Sequence, residues 1–163
     1  MTSLQKRLGK MEIKNQKKLE LIWVQSPEAL FQFWPTITQG MIDVFAERPE
    51  SMDETTMLNE ILTQHMTVWM GFLDHEYIGF ATLKIWTEPK APDRKIMFMN
   101  HVYKRPEIKD NLRNEFMVAV EEQARKMDCV ELRFCSLRNM EKYAASLGFF
   151  PGFMEYRKPL KGV

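Results

Sequence analysis

The sequence has few of the residues that build metal and redox sites. Its 163 residues include two cysteines and three histidines. His65, His75 and His101 are scattered, and no CxxC or HxxxH spacing occurs, so no metal site is expected. Cys129 and Cys135 fall in one predicted strand. Six residues at ~3.3 Å each hold them about 20 Å apart, too far for a bridge within that strand. Two reduced, packed thiols are therefore expected. No apolar run approaches the ~20 residues of a membrane span. The N-terminal residues lack a signal peptide's apolar segment, so a cytoplasmic protein without a membrane partner is expected. A net charge of +1 excludes a global field for nucleic acid.

What is present suits one globular domain. The chain is 45% hydrophobic and 12% aromatic, enough for a substantial core. Residues 1–18 form a basic arm, with Lys6, Arg7, Lys10, Lys14, Lys17 and Lys18 against Glu12 alone. Such an arm reads as solvated chain or as a docking arm for an acidic protein partner. The domain is expected over 19–163.

Lys18–Gln25 reads as a first strand. Ser26-Pro27-Glu28 is a helix start, with Ser as cap and Pro at the first helical position. Apolar residues from Leu30 to Phe45 keep helical spacing, and Pro35 inside them predicts a kink or a split. Ser51-Met52-Asp53-Glu54 has the form of a capping box. It opens a second amphipathic helix reaching His65 and Met66, with His65 expected to be packed on the apolar side. Val68–Leu73 and Tyr77–Trp86 flank Asp74-His75-Glu76 as a hairpin, with Gly79 permitting a bulge or a close backbone approach. Glu88–Arg94, with Pro89 and Pro92, reads as a loop.

The central unit is Lys95–Met127. Ile96–Val102 is an apolar run of strand length, and Lys104–Lys109 is a polar turn. Leu112, Phe116, Ala119, Val120, Ala124 and Met127 then form a helical stripe. A strand feeding a helix this way presents free N–H groups where an anionic ligand can sit. Cys129–Cys135 is a further strand. Ser136 caps a last helix that stops at Gly148, and Phe149–Tyr156 is a final strand or a hairpin around Pro151-Gly152. The order β-α-α-β-β-β-α-β-α-β predicts an α/β (α+β) fold with a mixed central sheet and helices on both faces.

That order resembles the GNAT N-acyltransferase family, over roughly Leu19 to Tyr156. The hairpin strand "E-Y-I-G-F-A-T-L" is similar to the family's second hairpin strand. The unit from Ile96 resembles its acyl-CoA-binding unit. "Ser136-x-x-Asn139…Leu147-Gly148-Phe149" resembles its closing helix and turn. The resemblance implies acetyl-CoA as cofactor, with the pantetheine arm in a gap where the fourth strand splays from the fifth. It implies Val102 and Tyr103 along that arm, Lys104, Arg105 and Lys109 at the phosphates, and Asn111 and Asn139 as further contacts. The loop from Lys104 to Asn111 departs from the family pattern. It has no glycine, it has Pro106, and it carries the acids Glu107 and Asp110. The family's tyrosine near the closing turn, placed to protonate the departing CoA thiolate, is displaced by one residue here, and the resemblance implies Tyr143 as the catalytic candidate. His101 is the candidate base, with Glu47 a second.

Two functions follow from the resemblance. One is acetyl transfer from acetyl-CoA to an amine, on a small molecule or a protein, that enters near Trp34 and Trp86. The other is a binding protein on the same scaffold without the chemistry. The chain is similar there to divergent GNAT-like proteins of tailed phages, among them virion, assembly and host-takeover factors. A homodimer through the apolar tail Gly148–Tyr156 is a further expectation.

Overall fold

The structure is a computed structural model and describes residues 18–47, 53–135 and 141–152. Five strands and four helices alternate along it: β1 (Leu19–Trp23), α1 (Pro27–Glu47), α2 (Glu54–Leu62), β2 (Thr67–Leu73), β3 (Glu76–Glu88), β4 (Ala91–Lys104), α3 (Arg113–Lys126), β5 (Cys129–Phe134) and α4 (Glu141–Ser146). The sheet order is β1-β2-β3-β4-β5. The first four strands are antiparallel to their neighbours, and β5 runs parallel to β4. This is the mixed sheet the sequence predicts.

Each face of the sheet buries a different helical layer. Leu30, Ile37 and Met41 of α1 and Met57 and Ile61 of α2 pack on Val68, Met70 and Phe80. Met117, Val120 and Ala124 of α3 pack on Trp69, Ala81, Leu83, Met97 and Met99 on the other face. Much of the methionine is core filling, since the unbranched thioether fits irregular gaps.

Two glycines let backbones approach closely. A Cβ on Gly40 would stand 2.6 Å from Tyr103 Cδ1 and 2.7 Å from Phe80 Cε1, so α1 crosses β3 and β4 with no room for a methyl group. Gly79 has φ +156, and a Cβ there would stand 2.0 Å from the Tyr103 carbonyl oxygen. It faces the register shift that leaves Ile78 unpaired between Gly79 and Tyr77.

The strand that matters most is β4. Thr82 pairs with His101 and Leu83 with Met99, so Asn100 is an extra residue. Such a bulge reverses which face each later side chain takes. Met97 and Met99 accordingly face α3, whereas His101 and Tyr103 turn toward α1. Pairing with β5 runs from Lys95↔Cys129 to Met99↔Phe134. From Asn100 onward β4 is bonded to β3 alone among the described residues.

Several local expectations need correcting. Helix α1 runs unbroken through Pro35. Pro35 and Phe31 are both exposed, so the carbonyl that the proline leaves without a donor is on the solvent side. The cap of α2 is Asp53, whose carboxylate accepts from the Thr56 amide at 2.7 Å. That helix stops at Leu62, because Gln64 is left-handed at φ 62 and the Thr63 hydroxyl takes the Asn59 carbonyl. His65 is consequently exposed, not packed. The Glu88–Arg94 segment is no loop; β3 and β4 continue to a tight turn closing Glu88↔Ala91, with Pro92 at a register irregularity where no ladder donor is needed. Gly148 ends α4 at φ 81, as predicted. The basic arm up to Lys17, Ser136 and most of the final segment lie outside the described residues; Phe149–Gly152 carries no strand. No helix of the described residues is long and apolar enough to cross a membrane.

The Gly79→Ala variant should lose on the order of 3 kcal/mol in urea unfolding, since backbone must move to admit its Cβ. A loss below 0.5 kcal/mol would show the β3–β4 contact to be looser than described. Tyr77 has a buried hydroxyl without a partner among the described residues, and burial pushes its phenol up to about 12. Tyr77→Phe should be neutral or stabilising by about 1 kcal/mol. The wild type's phenol stays neutral when folded and ionises near the ordinary 10 when unfolded. That stability is whole below pH 10 and is lost as pH rises through 12, so the variant's curve should be flatter there.

Candidate active site

A cleft of about 990 Å³ lies along the part of β4 that runs past the end of β5; residues of β1, β2 and β3 also line it, and none of β5 does. Its floor is His101, Val102, Tyr103 and Lys104 of β4. Asp43 and Val44 of α1 form one wall, and Lys109, Asp110, Asn111, Arg113 and Phe116 of the loop and α3 form the other. An unpaired strand edge directs alternate N–H and C=O groups into such a space, ready to pair with an extended amide-bearing ligand.

His101 is 3% exposed. Its backbone N–H donates to Thr82 Oγ1 at 3.0 Å, and its Nδ1 lies 2.9 Å from the same oxygen and 3.2 Å from Asn100 Nδ2. Thr82 Oγ1 and Asn100 Nδ2 thus both lie within hydrogen-bond distance of Nδ1, with the direction of each bond set by the ring tautomer. The imidazole also meets Phe45 edge-on at 6.1 Å. These contacts tie the His101 ring and backbone to both sides of the bulge. The alternative base, Glu47, ends α1, and its side chain lies outside the described residues.

Tyr103 tilts against Phe80 at 5.5 Å and sits over Gly40. Burial raises its phenol, and the charges of Asp43 and Glu107 raise it further against the pull of Arg105. Val102 points the other way and is 49% exposed. Lys104 Nζ donates to the Asp110 carbonyl at 2.9 Å, and Lys109 Nζ to the Pro106 carbonyl at 3.3 Å. Asn111 Oδ1 accepts the Arg113 amide at 3.3 Å, which organises the start of α3.

The remaining predicted residues are placed differently. Arg105 does not line the cleft; its guanidinium donates to the Tyr77 carbonyl at 2.8 Å and faces Glu76 and Glu107 at 3.6 and 3.5 Å. The same pairing draws Glu107 to Arg105, and Glu107 does not line the cleft either. Tyr143 sits under the Arg113 guanidinium at 5.6 Å, touching the cleft only through that partner. Burial raises its phenol, with Arg113 opposing and Glu115 adding to the rise. Asn139 lies outside the described residues. Trp34 donates to Glu54 Oε1 at 3.2 Å, and Trp86 stacks on Phe98 at 5.5 Å; neither lines the cleft.

Arg113 and Asp43 are the cleft residues that sequence reading missed. Arg113 directly follows Leu112, the first residue of the apolar stripe, and so reads as helix surface. Asp43 is one polar position among many on α1. No group of His, Cys, Asp and Glu among the described residues could hold a metal ion.

No protein-family model matches the chain. No curated protein matches it. Solved structures do. A probable acetyltransferase superposes with TM-score 0.63 at 16% identity, over 88% of this chain and 99% of its own. A ribosomal-protein-alanine N-acetyltransferase from Brucella melitensis biovar Abortus 2308 gives 0.64 at 11% identity, over 88% and 99%. A predicted acetyltransferase with acetyl-CoA from Clostridium acetobutylicum gives 0.61 at 10%, over 87% and 96%. The chain has the GNAT-like acetyltransferase fold.

Proposed function

We propose that the chain transfers an acetyl group from acetyl-CoA to an amine. The observation that carries this reading is that β5 ends at Phe134 while β4 runs on to Lys104, bonded to β3 alone among the described residues. It leaves a strand edge open along the floor of a deep cleft, with three cations at one end. The similar structure with acetyl-CoA supports the same choice of donor.

The residues present fit such a group. The backbone from Asn100 to Lys104 supplies hydrogen bonds for an amide-bearing arm, and Val102 supplies an apolar surface beneath it. Lys104, Lys109 and Arg113 supply positive charge for phosphates where the family pattern has glycine-rich backbone. Their present partners are carbonyl oxygens and an aromatic ring, so no buried ion pair must break for them to turn. When bound, acetyl-CoA supplies an acyl group already activated as a thioester.

The chain's own part is positioning. His101 is a positioning residue: through Thr82 and Asn100 it fixes the bulge that aims the open edge. Tyr143 holds Arg113 at the mouth of the cleft. The attacking amine must be neutral, and its proton leaves through water in the cleft.

Titration of CoA into the protein tests this. Thermal stability should rise, by about 2.7 kcal/mol at a hundredfold excess over the dissociation constant. The Lys104/Lys109/Arg113 triple alanine variant should bind at least tenfold more weakly, and wild-type affinity should fall steeply with salt because side-chain charge does the holding. Arg105→Ala should bind CoA as the wild type does. No shift at millimolar CoA would refute the reading in favour of a non-catalytic binding protein on this scaffold.

A further inference from the structure

The charges of the cleft are sorted by wall. Lys104, Lys109 and Arg113 stand on the side of α3 and its loop. Asp110 stands there too and is engaged with its neighbours. The α1 wall carries one charge, the Asp43 carboxylate, three residues beyond the close contact at Gly40. Asp43 is exposed and makes no hydrogen bond or ion pair among the described residues. Beside it lies Tyr103, whose phenol is held neutral partly by the Asp43 charge. The other α1 residue on this wall is Val44, which is apolar.

A carboxylate fixed on a rigid helix in a partly apolar cleft attracts a cation, and the cationic side chains lining this cleft are on the opposite wall. Resting on the acetyl-transfer reading of the cleft, we infer that Asp43 selects the acceptor: a small diamine or polyamine, with one amino group held as ammonium at Asp43. The attacking nitrogen must be neutral, so the nitrogen at Asp43 is a different one that keeps its proton. Asp43 then governs how tightly the acceptor binds and leaves the chemical step alone. A base at this position would behave in the opposite way.

The test titrates 1,4-diaminobutane and n-butylamine separately into the full chain, wild type and Asp43→Asn, with calorimetry as the readout. Diaminobutane should bind the wild type more tightly than butylamine. Asp43→Asn should weaken diaminobutane about fivefold, the scale of an exposed ion pair, and leave butylamine unchanged. Asp43→Glu should keep the preference. Equal affinity of the two amines for the wild type would overturn the inference, as would a diaminobutane dissociation constant that Asp43→Asn does not move. In turnover, the variant should raise KM for diaminobutane and keep kcat; a fall in kcat for both amines would make Asp43 a base and overturn the selection role. CoA titrated into the same proteins judges the parent reading separately, because the amine titrations do not need CoA to be bound.

Discussion

One surplus residue in a strand sets the geometry of this protein. Asn100 has no partner on β3, so every side chain after it changes face. Had the alternation continued, His101 and Tyr103 would join Met97 and Met99 on the α3 face. Instead they pack toward α1, and Val102 is left facing the cleft. At the same residue the parallel pairing with β5 stops. A strand edge in the middle of a sheet is normally covered, because its backbone groups must bond to something. Here no described residue pairs with the edge, and it borders a cleft, an arrangement a ligand with its own amides can complete.

The rest of the fold holds that irregularity in place. Thr82 bonds both the His101 amide and its ring, and Asn100 bonds the same ring from the adjacent position. Gly40 lets α1 press on Tyr103 and Phe80, and Gly79 lets the Tyr103 carbonyl approach β3 without a Cβ between them. On the far face, Met97 and Met99 anchor the paired half of β4 under α3. The strand is therefore held on both sides of the bulge, and its last residues stay bonded to β3 and packed under α1.

The large features were legible because periodicity changes within the sequence. The apolar run Ile96–Val102 gives way to the helical stripe from Leu112, and the real elements begin and end within a few residues of those signals. Ser26-Pro27 and Asp74-His75 were readable for local reasons: a hydroxyl that caps the Ala29 amide, and a two-residue turn with φ of 49 and 69. What escaped was decided by tertiary contact. Pro35 could stay inside α1 because the opposite face buries Leu30, Ile37 and Met41. Pro92 could enter β4 because the register slips beside it. Arg105 and Arg113 look alike in sequence, yet only Arg113 lines the cleft, since Arg105 is drawn to the Tyr77 carbonyl. No pattern of residue types marks the Asn100 bulge.

The account stands on the open edge of β4 being the surface that ligand completes. Amide hydrogen exchange, followed residue by residue from Asn100 to Lys104 with and without CoA, measures this directly. Amides on that edge should exchange quickly in the free protein and slow at least tenfold with CoA, while those of Lys95–Met99 stay protected throughout. Slow exchange along the whole of β4 in the free protein, or CoA binding that leaves these amides unchanged, would contradict it.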